Sequence, residues 1–137
     1  GAARPAHRLP HANSVGLIAE RLASSERSPA RLLVSALRMR PDRLILGEMR
    51  GDEALAFLEA INTGHPGSIS TIHADSPVLA LERLALMVMR SGTGQSRQEV
   101  LDYATRSIDL IVQVGRKGSR RGVLEVYLPA LEQNRAG

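Results

Sequence analysis

Apolar residues along this chain fall at helical spacing in some stretches and in short continuous or alternating runs in others, and the two patterns take turns. Residues 1–14, rich in Pro, His and Arg, carry no period and read as loop, and the apolar stretch at residues 15–22 predicts a short helix. Ser28 and Pro29 open the next helix as N-cap and first helical residue. Leu32, Leu33, Ala36 and Leu37 supply its apolar face, and Pro41 stops it. The wholly apolar run at residues 44–46 predicts a strand covered on both faces, as in a parallel sheet. Gly51 and Asp52 lead into a helix that Asp52 caps, that buries Ala54, Phe57, Leu58 and Ile61, and that Gly64 ends.

Residues 68–73 predict a further strand, and Ser76-Pro77 repeats the serine–proline helix opening ahead of an apolar stripe of Leu81, Leu84, Ala85 and Val88. Ser96 and Glu99 fit a capping box for a helix carrying Val100, Leu101 and Ala104. Residues 108–114 and 122–128 read as strands, the second half-exposed because Leu124, Val126 and Leu128 alternate with Glu125 and Tyr127. The loop at residues 115–121 makes them an antiparallel hairpin. Alternating strands and helices give the α/β class in one domain, with the hairpin finishing one edge.

Composition narrows this without deciding it. At 137 residues, 43% hydrophobic and 23% charged, the chain is ordinary for a globular domain. A net charge of +4 favours anionic partners but does not choose among nucleotide, nucleic acid and membrane surface. Cysteine is absent, which removes disulfides and thiolate metal sites. No run approaches the roughly 20 apolar residues of a spanning helix, so membrane association is expected to be peripheral. Aromatic residues make up 2%, too few for base-stacking platforms.

Candidate chemistry gathers in two segments. Residues 38–51 read Arg-Met-Arg-Pro-Asp-Arg-Leu-Ile-Leu-Gly-Glu-Met-Arg-Gly, an apolar strand delivering Glu48 to its carboxyl end. Open α/β sheets place ligand chemistry there. A carboxylate at that point orients an attacking water or holds a water of a magnesium shell; equally, it pairs with Arg50 or Arg38 at a solvated strand end. Residues 62–77 read Asn-Thr-Gly-His-Pro-Gly-Ser-Ile-Ser-Thr-Ile-His-Ala-Asp-Ser-Pro, with Ser70, Thr71 and His73 on a strand expected to be central. Buried polar groups there need partners, which a phosphate supplies; a histidine held by a backbone carbonyl is the plainer alternative. His65, His73 and Asp75 match no usual metal-ligand spacing, and no Gly-x-Ser-x-Gly elbow is present.

Residues 38–51 resemble the Walker B region of the type II/type IV secretion ATPases, and residues 62–77 resemble their His box. Weaker similarity extends upstream through residues 9–13 and downstream through the Ala-Leu-Glu-Arg-Leu helix and the strand at residues 108–114. The resemblance implies a partial RecA-like P-loop NTPase core, a mainly parallel sheet flanked by helices and ending in the antiparallel hairpin. It makes Glu48 the Walker B carboxylate, acting on water and, through water, on magnesium. His73 becomes the residue facing the γ-phosphate with Thr71 beside it, and Arg50 and His65 are weaker carry-overs coupling the site to a neighbouring subunit. ATP and Mg2+ follow as cofactors, with sibling subunits of a hexameric ring and inner-membrane secretion components as partners, at the cytoplasmic face of the inner membrane. The wording of the His box and the Glu125-Val126-Tyr127 ending favour the type IV secretion branch.

No Gly-x-x-x-x-Gly-Lys-Ser/Thr occurs in these residues; residues 91–96 contain glycines but no lysine and read as a helix–helix turn. The resemblance places that Walker A loop ahead of Gly1, so the chain is expected to be the C-terminal portion of one motor domain and to hydrolyse ATP poorly alone. A non-hydrolysing module that binds sibling subunits or partners is the alternative. Arg116, Lys117, Arg120 and Arg121 read as a solvated basic turn rather than a contact for nucleic acid, and direct nucleic-acid binding is not expected. Met87, Val88 and Met89 read as core.

Overall fold

The computed structural model describes residues 10–19 and 26–136. The chain divides into two compact units, Gly1–Thr71 and Ile72–Gly137. Mixed helices and strands, a parallel strand pair and an antiparallel hairpin make up the described residues.

In the first unit α1 (Pro29–Arg38) starts as its sequence dictates. Ser28 is extended, and its hydroxyl accepts the Arg31 N–H at 3.5 Å ahead of Pro29 in the first helical turn. Leu33 is buried, and the helix packs against α2 (Glu53–Asn62). It ends at Arg38, because Pro41 excludes the right-handed helical conformation for the residue before it. Arg40 takes φ +51 instead, a left-handed conformation rare outside glycine. Between α1 and α2 runs β1 (Ile45–Leu46), parallel to β2 (Ile69–Ser70) with Ile45 opposite Ile69 and Leu46 opposite Ser70. The pairing continues past both ends, through Ile69 N–H to Leu44 O and Met49 N–H to Thr71 O, each 2.9 Å.

Three expectations change here. Residues 15–19 are irregular rather than helical, and residues 20–22 lie outside the described residues. The strand pair is covered on one face only: Leu44 is buried while Ile45 and Ile69 are exposed. Asp52 occupies the N-cap position of α2 but makes no side-chain cap bond. Its own backbone is helical (φ −65, ψ −20), and a capping carboxylate needs an extended backbone to turn back onto the helix. Glu53 does the work instead: buried to 3% exposure, its Oε1 accepts the N–H groups of Arg50 and Gly51 at 2.5 and 3.2 Å. Ala54, Phe57 and Leu58 form the buried face of α2, and Gly64 at φ +114 terminates it.

The second unit holds α3 (Pro77–Arg90), α4 (Arg97–Ser107), β3 (Ile111–Lys117), β4 (Arg120–Tyr127) and α5 (Pro129–Ala136). Ser76 caps α3 by accepting the Leu79 N–H at 3.2 Å, and Leu81, Leu84, Ala85 and Val88 are buried as the stripe requires. Met87 joins this core whereas Met89 is exposed. Gly92 and Gly94, both at positive φ, make the turn into α4. The capping box is complete: Ser96 Oγ accepts the Glu99 N–H at 3.3 Å, and Glu99 accepts the Ser96 N–H at 2.7 Å.

That backbone hydrogen bond, and next the Ser96 hydroxyl, hold the Glu99 carboxyl below its ordinary range. A depressed carboxyl adds stability at pH above its unfolded value, lost as pH falls through the folded one. The melting temperature of the chain is therefore expected to fall more steeply on acidification than that of Glu99→Gln. Parallel curves across the acid limb would show that the box contributes no linkage.

The hairpin strands lie closer to their turn than the sequence suggests. β3 begins at Ile111, because Ile108 ends α4 with its N–H on Ala104 O at 2.9 Å. The strands continue through Lys117 and Arg120, leaving Gly118-Ser119 as a two-residue turn with Gly118 at φ +64. Arg116 faces Arg121 and Lys117 faces Arg120, so the basic residues form rungs rather than a loose turn. A register shift between Gln113 and Val114 leaves Leu124 as the extra residue of a bulge. Its Cδ1 lies 2.5 Å from where a Cβ on Gly115 would stand, so a side chain there would require the exposed Leu124 side chain to move. The bulge breaks the alternation read for this strand, and β4 is exposed from Arg120 through Val126.

Candidate functional site

Parallel pairing of β1 and β2 sorts the motif residues by strand end. Gly47, Glu48, Met49 and Arg50 follow β1 at the carboxyl end, and Thr71 follows β2 at the same end. Thr71 closes that edge twice. Its carbonyl takes the Met49 N–H, and its hydroxyl donates to Gly47 O at 2.7 Å, one residue before Glu48. Arg50 forms an ion pair with Glu48, whose side chain is 20% exposed against 52% for Arg50. The hydrogen bond and then the charge of Glu48 raise the Arg50 guanidinium further above its ordinary value, with a smaller contribution from Glu53. Of the two partners considered for Glu48, the structure selects Arg50.

The remaining candidates are placed elsewhere. His65 precedes β2, at the amino end of the pair, where its Nδ1 donates to Pro41 O at 2.7 Å. Ser68 ties the same end together, accepting the Leu44 N–H at 2.9 Å and donating to His65 O at 2.7 Å. A backbone carbonyl thus satisfies His65, the arrangement that the sequence offers as the alternative for His73. Ser70 is half-buried, but Thr71 and His73 are exposed, contrary to the expectation of a central, buried strand. β2 has ended at Ser70 and pairs on one edge only among the described residues. His73 belongs to the second unit, where Gln113 Nε2 donates to the carbonyl of neighbouring Ala74 at 3.1 Å. Among the described residues, no three His, Asp or Glu side chains are grouped to hold a metal directly. Glu53 is the site-building residue that pattern reading missed. Its position three residues after Arg50 was the available signal, since a carboxylate there can reach back to open N–H groups before a helix.

Residues 8–121 match the family described as Type II/IV secretion system protein, which is most of the chain and spans both motif segments. The chain belongs to this family. Its relatives place it in the type IV branch of these secretion ATPases. It is 41% identical over 107 residues to the type IV secretion system protein VirB11 of Bartonella quintana, covering 77% of this chain and 30% of that protein. It is 47% identical over 97 residues to the conjugal transfer protein TrbB of Rhizobium radiobacter, covering 71% and 29%. Among solved structures, it resembles the crystal structure of the VirB11 ATPase from the Brucella suis type IV secretion system in complex with sulphate. That match has a TM-score of 0.68 at 38% identity, covering 76% of this chain and 34% of the other. The chain spans about a third of the length of the secretion ATPases it matches.

Proposed function

We propose that these residues are the water-handling part of a RecA-like motor that hydrolyses ATP to power type IV secretion, conjugative DNA transfer or pilus assembly. The observation that carries this reading is Glu48, held at the carboxyl end of β1 by Arg50, with Thr71 bracing the preceding residue and the side chain still partly open to solvent. A carboxylate so placed accepts a hydrogen bond from the attacking water and orients it in line with the γ-phosphorus. The donor chemistry fits magnesium held through water, since one carboxylate suffices where the ion keeps most of its waters. Bound Mg2+ supplies charge neutralisation at the phosphates. Arg50 holds Glu48 in place through their ion pair, and His73 serves the γ-phosphate end of the nucleotide. His65, at the amino end of the strands, acts toward a neighbouring subunit in the hexamer.

The phosphate-holding half of the chemistry needs a Gly-x-x-x-x-Gly-Lys-Ser/Thr loop, which the 137 residues do not contain. Our reading therefore predicts magnesium-dependent turnover when residues 8–121 replace the matched region of the Bartonella quintana VirB11, and negligible turnover by the 137-residue chain alone. Steady-state phosphate release and sedimentation measure both. An exchanged protein that folds and assembles but does not turn over ATP, while its parent does, leaves the partner-binding module as the better account.

A further inference from the structure

The amino end of the strand pair, which the proposed function uses only through His65, carries a further feature. Residues 40–43, before β1, and residues 64–66, before β2, border an open basin of about 640 Å3. This lies within the size range of small-ligand sites. Its walls include Arg40, Pro41, Asp42, Arg43, His65 and Pro66. Arg43 precedes β1 and Glu48 follows it, so the basin and the carboxylate lie at opposite ends of the strand.

Two arginines oppose one carboxylate around this basin, an excess of positive charge before His65 is considered. Arg40 and Arg43 are exposed, and among the described residues neither side chain makes a hydrogen bond or ion pair. Both are nonetheless positioned. Arg40 holds φ +51 immediately before a proline, a strained backbone for a side-chain-bearing residue. The Arg43 side chain crosses Gly67, with Nε 2.9 Å from where a Cβ would stand. His65 is anchored by Nδ1 to Pro41 O, while Nε2 makes no hydrogen bond among the described residues. Two prolines stiffen the rim. Strain and pre-positioning without any internal partner are what an external anion would use, and guanidinium forks match phosphate oxygens well.

We propose that this basin is a second anion site, taking a phosphate group at the sheet end opposite Glu48. It stands independently of the ATPase reading, since it uses neither Glu48 nor nucleotide turnover.

The test is titration of the 137-residue chain with inorganic phosphate against chloride at matched ionic strength. Arginine Nε and histidine ring resonances provide the readout. Saturable shifts confined to Arg40, Arg43 and His65 are expected, with affinity at least about tenfold weaker in Arg43→Gln. Arg40→Gly should weaken binding while leaving the melting temperature unchanged or higher, because glycine relieves the strain; this separates lost binding from lost folding. An Arg116→Gln/Arg121→Gln hairpin variant should bind as the parent does. Vesicles containing phosphatidic acid distinguish the source: competition by soluble phosphate with tighter vesicle binding assigns a lipid headgroup, and binding of soluble phosphate alone assigns a free ligand. Absence of saturable shifts, equal loss in the hairpin variant, or saturation by a glutamate-rich peptide but not by phosphate would overturn the proposal.

Discussion

Glu48→Gln in the exchanged protein is expected to lower ATP turnover by about 10²–10⁴-fold, the range for losing a positioned acid–base group. Glutamine keeps the size of the side chain and can still accept a hydrogen bond from Arg50. It cannot take a proton from water or carry the charge that a hydrated magnesium ion favours. The effect should therefore fall on kcat, with little change in KM for ATP, as for an interaction made in the transition state. Folding should change little, because Arg50 is half-exposed and water can replace its partner. Thermal melting and assembly of the variant control for this. Parental turnover in an assembled Glu48→Gln protein removes the carboxylate from the chemistry and with it the proposed role of β1.

Local chemistry explains which elements were legible. Ser28, Ser76 and the Ser96/Glu99 box each announce a helix start within four residues, and all three were met by side-chain hydrogen bonds to the helix. The stripe on α3 was equally plain, since helical spacing alone determines which side chains share a face. Strand features depended on more distant partners. Whether residues 44–46 are covered on both faces, or β4 on one, is set by what packs against them, and a bulge at Leu124 broke the apparent alternation. The sequence put Glu48 at the carboxyl end of a strand and Thr71 inside one, whereas the structure sets both at one end of the pair and His65 at the other. That separation follows from parallel pairing: residues before the two strands share one end and residues after them share the opposite one.

Asp52 and Glu53 show how a single dihedral pair redirects a site. Both are acidic and adjacent, but only the buried Glu53 reaches the open N–H groups of Arg50 and Gly51. Those amides belong to the short turn that carries Glu48 and Arg50 from β1 to α2. Glu53→Ala is expected to destabilise the fold by about 1–3 kcal/mol, the usual cost of stranding such donors. The lower part of that range applies where water reaches the part-buried Arg50 amide. With the turn loosened, Glu48 loses its fixed aim, and kcat in the exchanged protein should fall by about 10–10²-fold, as expected when a reacting group is misplaced by a fraction of an ångström to an ångström. Glu53→Gln retains an acceptor oxygen of the same reach and should restore most of both losses. Denaturant melts and steady-state kinetics on the two variants separate the possible roles. If Glu53→Ala lowers stability but leaves kcat at the parental value, Glu53 is only the cap of α2. If both fall and glutamine restores both, its hold on the Arg50 and Gly51 amides is what positions the catalytic carboxylate.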